Sequence, residues 1–135
     1  MQENILLLVT SDPATAMLIR RVRRVADYLH ANCLALYVHR EDHFNEVPAE
    51  EREAVEKHLN FARNLRIETR IAPGQNVAHT IADFARRNQV TQIFLARSLL
   101  RSRSTPFSGN LVRDIIRLAP TLQIIVAATP STQKA

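Results

Sequence analysis

The chain is poor in the residues that make some functions easy to read. Its 135 residues include one cysteine, two glycines and no tryptophan. A lone Cys33 excludes an internal disulfide and cannot build a metal cluster by itself. It sits in the apolar run Cys33–His39, which favours an inert core thiol over a nucleophile. Aromatic residues make up 5% of the chain, so the stacking platforms expected of a single-strand nucleic-acid binder are missing. No apolar run approaches the ~20 residues of a membrane span. The opening Met-Gln-Glu-Asn is acidic and leads straight into an apolar run, unlike the basic-then-apolar plan of a secretory signal. These absences point to a cytoplasmic domain, with specific nucleic-acid recognition the weaker reading of its charge.

The charge itself is +5, with a pI near 10.3. It permits contact with nucleotides, nucleic acid or an anionic surface without choosing among them. The five histidines, His30, His39, His43, His58 and His79, are scattered, and none pairs with another on one helical face near acids. A zinc site is therefore not expected. No nucleophile elbow or Walker loop occurs. Asp12 and His39 could meet as an acid–base pair, but no nucleophile accompanies them, and the chain reads as non-catalytic.

Two patterns alternate along the sequence. Asn4–Thr10 is a continuous apolar run, the signature of a strand buried on both faces. Ser11-Asp12-Pro13 turns the chain, with Ser11 or Asp12 suited to a helix N-cap and Pro13 to the first helical position. The helix that follows to about His30 has Leu18, Val22, Val25 and Leu29 on one face and Arg20, Arg21, Arg23 and Arg24 on the other. That arginine row reads as a wet face, with partner docking or anionic lipid as the alternative. A second strand is predicted over Cys33–His39, a loop over Arg40–Pro48 and a helix over Ala49–Asn64. An edge strand is predicted over Arg66–Ile71, then a break at Pro73-Gly74. Asn76 caps a third helix whose core face is Val77, Ile81, Phe84 and Ala85. Ile93–Ala96 is a fourth strand, Leu111–Leu118 a fourth helix and Gln123–Ala128 a fifth strand. The expected domain spans 1–128, with a polar tail over 129–135.

This alternation predicts an α/β fold: a doubly wound, five-stranded parallel sheet with helices on both faces, in the order 3-2-1-4-5. In such sheets ligands bind outside the carboxyl ends of the strands, where the strand order reverses. Here that point brings Thr10, Ser11 and Asp12 beside the stretch Ala96–Asn110. The stretch holds Arg97, Arg101, Arg103, four serines and no acid before Ser108-Gly109-Asn110 opens a helix. Free N–H groups at a helix start, with arginines beside them, suit a phosphate. The bland alternative is a solvated loop whose Ser108 or Asn110 merely caps a helix.

At these residues the sequence resembles the universal stress protein family, through the order of elements and the phrase Asn4-Ile-Leu-Leu-Leu-Val-Thr-Ser-Asp-Pro13. It is most similar to the universal stress protein-like domain of Kdp-type, osmosensitive potassium-sensor histidine kinases. Leu18–Arg21, Ala26–His30, Leu36–Val38, Ile81–Ile93 and Leu118–Ala127 carry that narrower resemblance. The resemblance implies an adenine-nucleotide alpha-hydrolase-like fold and a regulatory module in stress or potassium signalling. It implies ATP or another adenine nucleotide as ligand and no metal. The partners it implies are a second copy through the last strand and a signalling protein such as a histidine kinase.

ATP-binding members carry Gly, two residues, Gly, nine residues, Gly, then Ser or Thr. Counted back from Gly109, the first two glycines fall on Ala96 and Leu99, and the hydroxyl residue falls on Asn110. The family's acid at the end of strand one falls at about Thr10. Leu99 admits neither positive φ nor close phosphate approach as glycine does. The Arg/Ser-rich filling resembles the kinase subgroup, some of whose members bind a cyclic dinucleotide; no residue-by-residue match carries that ligand over. The expected site is thus Thr10, Ser11, Asp12, Val38, His39, Ala96, Arg97, Ser98, Arg101, Ser102, Arg103, Ser108, Gly109 and Asn110. Two readings stand: a non-catalytic module binding a nucleotide or other phosphorylated anion, or a ligand-free interaction domain whose ATP motif has degenerated.

Overall fold

A computed structural model of the protein describes residues 2–97 and 111–128. Strand β1 (Asn4–Leu8) leads to helix α1 (Ala14–Leu29), and β2 (Asn32–His39) to α2 (Ala49–Asn64). Strand β3 (Glu68–Pro73) follows, then α3 (Val77–Arg87), β4 (Gln92–Ala96), α4 (Leu111–Leu118) and β5 (Gln123–Ala127). All four strand pairings are parallel and the order is β3-β2-β1-β4-β5, as the alternation of patterns requires.

The two faces of the sheet bury separate clusters. Ile5, Leu7, Tyr37 and Phe94 pack under α1 and α2, whose Ile19, Val22, Val55 and Leu59 meet them. Leu6, Leu8, Leu36, Val38, Ile93 and Leu95 pack on the other face against Val77, Ile81, Leu111 and Ile115. The central strands β1 and β4 are buried on both sides, which is why they read as unbroken apolar runs.

Scarcity of glycine shapes the turns. Three helices end on a non-glycine residue in the left-handed region: His30 (φ 55°), Arg66 (φ 63°) and Gln89 (φ 55°). Each closes its helix with a paired bond: Ala31 N–H reaches Ala26 O, Ile67 N–H reaches Ala62 O, and Val90 N–H reaches Ala85 O, each at 2.8–2.9 Å. Gly74 is one place where glycine is needed, since a Cβ there would stand 1.9 Å from Thr80 Oγ1. Asn76 caps α3 as expected, its side-chain oxygen accepting from His79 N–H at 3.0 Å.

Three expectations are corrected. Leu29 lies 39% exposed and Ile19 takes its place in the core, because the chain leaves the sheet at the His30 turn. Arg23 is not on the wet face: it donates to Leu65 O and Arg66 O at 3.1 and 3.3 Å and pairs with Asp27 at 2.8 Å. Strand β3 is displaced by two residues from Arg66–Ile71, because Arg66 belongs to the turn that ends α2. The start of α1 agrees with expectation: Pro13 has helical φ and ψ of −56° and −25° just before Ala14, and Asp12 Oδ1 accepts from Ala14 N–H at 2.8 Å.

Candidate functional site

The strand order reverses between β1 and β4, which pair in parallel with Leu6 beside Ile93 and Leu7 beside Phe94. Their carboxyl ends place the Thr10–Asp12 turn next to Ala96 and Arg97. Val38 and His39 stand one strand further along, at the carboxyl end of β2. The other expected site residues, Ser98, Arg101, Ser102, Arg103, Ser108, Gly109 and Asn110, lie outside the described residues.

The turn after β1 is held from inside. Thr10 Oγ1 accepts from Asp12 N–H at 3.1 Å and meets Thr15 Oγ1 at 3.2 Å. Thr15, 1% exposed, also reaches Thr10 O at 3.2 Å. His58 from α2 approaches the same carbonyl at 2.9 Å through Nδ1; a carbonyl only accepts, so Nδ1 carries the proton. Ser11 is exposed and Asp12 half-buried. A hydroxyl at Thr10 therefore fastens the turn on which α1 begins; the first N–H groups of that helix are taken up within the turn, Ala14 N–H by Asp12 Oδ1 and Thr15 N–H by Asp12 O, so the start of α1 offers the cleft the positive end of its dipole.

At the end of β2 the two candidates diverge. Successive strand residues point to opposite faces, so Val38 joins the α3/α4 cluster while His39 lies with Tyr37 and Phe44. The His39 ring stacks 6.0 Å from Tyr37, and Phe44 stands edge-on to Tyr37 at 5.8 Å. His39 is 4% exposed, and its Nδ1 has no hydrogen-bond partner among the described residues; Glu41 Oε1 is 3.7 Å away. Tyr37 donates to Glu51 at 2.7 Å, and burial, followed by that bond, pushes its phenol well above the usual range. The Asp12–His39 acid–base pairing is not seen: Asp12 Oδ1 is engaged by Ala14 N–H, and the carboxylate nearest His39 is Glu41.

Sequence reasoning missed Thr15, His58 and Glu51. His58 was legible in principle, because Val55, His58, Leu59 and Ala62 share one helical face and a histidine there needs a buried partner. The Tyr37–Glu51 bond spans 14 residues and left no local signal. Among the described residues no group of three or more His, Cys, Asp and Glu could hold a metal, and no helix is long and apolar enough to cross a membrane.

No protein-family model matches the sequence, and no curated protein matches it. Solved structures do match in fold. A universal stress protein in complex with cAMP superposes with a TM-score of 0.68 at 11% identity, covering 96% of this chain and 98% of that one. The universal stress protein of Archaeoglobus fulgidus in complex with dAMP gives 0.64 at 12% identity, covering 96% and 98%. UspA from Lactobacillus plantarum gives 0.63 at 23% identity, covering 95% and 97%. The chain thus shares its five-stranded parallel α/β fold with universal stress proteins over nearly its whole length.

Proposed function

We propose that the protein is a universal stress protein-like regulatory module that binds an adenine nucleotide or another phosphorylated anion, without catalysis, at the carboxyl ends of β1 and β4. The observation that carries this reading is the turn Thr10–Asp12, fastened by Thr15 and His58 beside the start of α1, at the point where strand order reverses. Arg97, Arg101 and Arg103 supply charge for the phosphates, with Ser98, Ser102, Ser108, Gly109 and Asn110 as hydroxyl and amide donors. Structural relatives holding cAMP and dAMP support a nucleotide as the ligand class. Ala96 and Leu99 in place of glycines argue for a phosphate pose unlike that of ATP in glycine-rich members.

The finer role we propose is cytoplasmic stress or potassium/osmotic signalling, in which an occupied site is read by a signalling partner such as a histidine kinase. The resemblance of Ile81–Ile93 and Leu118–Ala127 to that kinase subgroup supports it. A homodimer through the last strand is supported by the position of β5, which pairs with β4 on one side and carries Val126 at 38% exposure.

A thermal-shift titration with ATP, ADP, cAMP, dAMP and a cyclic dinucleotide tests the site, beside an Arg101→Ala/Arg103→Ala variant. Ligand at 100 times its Kd adds about 2.7 kcal/mol, or several degrees. A shift lost in the variant establishes an anion site. No shift with any nucleotide overturns the reading in favour of a ligand-free interaction domain, which the missing glycines support.

A further inference from the structure

Helices α1 and α2 cover one face of the sheet together, and their exposed charges are largely segregated by sign, with Lys57 the exposed cation beside the acids of α2. Arg20, Arg21 and Arg24 are exposed on α1, where no acid occurs between Asp12 and Asp27. The segment 41–56 holds seven acids, of which Glu50, Glu53 and Glu56 are exposed on the first turns of α2. None of these six side chains forms an ion pair among the described residues. The two patches also sit at different heights. Arg20 lies over the Phe61 ring at 5.4 Å, and Arg23 reaches the carbonyls of Leu65 and Arg66, so the basic patch is level with the end of α2. The acidic patch is level with its start.

We propose that this face is an interface between two copies of the chain, separate from the nucleotide cleft. A two-fold axis lying in the face midway between the patches lays each patch on the opposite one of the second copy, so every pair forms twice. Complementary fields of this kind fix register and speed encounter, and they weaken with salt. The acids make a second copy a better occupant than a phosphate surface, which would meet Glu50, Glu53 and Glu56 together with the arginines.

Sedimentation in about 0.01 M and about 1 M salt, where the screening length falls from about 30 to about 3 Å, tests the interface on the full chain. Association at low salt should roughly double the particle mass over that at high salt. Arg20→Glu/Arg24→Glu and Glu50→Lys/Glu53→Lys, all at exposed positions outside any ion pair among the described residues, should each abolish the salt-sensitive species. Mixing the two variants should restore it, since one then carries two acidic patches and the other two basic ones. A mass independent of salt, variants whose mass still falls as salt rises, or a mixture that recovers no salt-sensitive species would each overturn the proposal. Association through the β5 edge rests on backbone and apolar contact, so it would persist at high salt and in both variants.

Discussion

The two ends of the sheet both carry polar side chains, and they face opposite ends of the helix dipoles. The amino end has a depression of about 550 Å³, lined by Arg23, Arg66, Arg70, Asn32, Asn88 and Cys33 among others. Volume and arginines alone would nominate it as the anion site. Yet α1, α2 and α3 all finish there, so the carbonyl ends of three helix dipoles converge and disfavour an anion. Its arginines are largely engaged: Arg23 caps the carbonyls of Leu65 and Arg66, and Arg70 pairs with Glu68. Asn32 donates to Asn4, and Thr91 and Gln92 both donate to Glu3. The carboxyl end has helix starts, an exposed Ser11 and a buried His39 whose Nδ1 is unpartnered among the described residues. Each end keeps one buried nitrogen without a partner among the described residues, Arg23 Nε and His39 Nδ1, so the direction of the dipoles, more than cavity size or free donors, separates scaffold from candidate site.

Replacing Arg23 tests the scaffold half of that comparison most severely. Arg23→Met keeps much of the packed stem but removes donors from two helix-end carbonyls and a partner from Asp27. A loss of about 1–3 kcal/mol is expected in urea unfolding, in the range of unsatisfied carbonyls and lost charged bonds. Nucleotide-induced thermal shifts should remain. Unchanged stability would mean that the amino end does not need its capping arginine.

Thr15→Val addresses the other half with a nearly isosteric change. It removes the hydroxyl that meets both Thr10 Oγ1 and Thr10 O, while His58 continues to hold that carbonyl. Stability should fall by about 1 kcal/mol, the usual net worth of such a bond. Nucleotide affinity should fall as well, because the β1–α1 turn loses its inner fastening. Reduced stability with intact affinity would separate the turn from the site.

The scaffold was easier to read than the site, for physical reasons that individual residues show. Leu6–Leu8 and Ile93–Ala96 are buried on both faces, so their runs announced central parallel strands, and the alternation with helices then left little choice of order. Edge strand β3 has weak one-sided burial, with Ile71 40% exposed, and its pattern fixed the register poorly. Leu29 continued the helical spacing past the point where the His30 turn lifts the chain off the core. Thr10, Asp12 and His39 were found as positions at strand ends, but not their partners. Thr15, His58 and Glu51 arrive from other elements, and only the packing of α1 and α2 against the sheet brings them in.

The smallest expected effect concerns Tyr37, and it appears only at high pH. Burial, then the bond to Glu51, holds its phenol protonated in the folded chain well beyond the value of about 10 at which an unfolded tyrosine ionises. Above pH 10 the unfolded state therefore binds fewer protons than the folded state, and stability falls as pH rises. Its contribution is complete below pH 10 and lost progressively above it. Tyr28 is 85% exposed and lacks such a partner among the described residues. Urea unfolding of Tyr37→Phe between pH 8 and about 11 should thus show a shallower decline than the parent chain, beside a modest loss at pH 8 from the missing bond. Cys33, whose thiol burial also pushes upward, adds a fall of the same sign from about pH 9 in both proteins and cancels in the comparison. Identical slopes would place the phenol in water and remove the aromatic cluster from the buried carboxyl end.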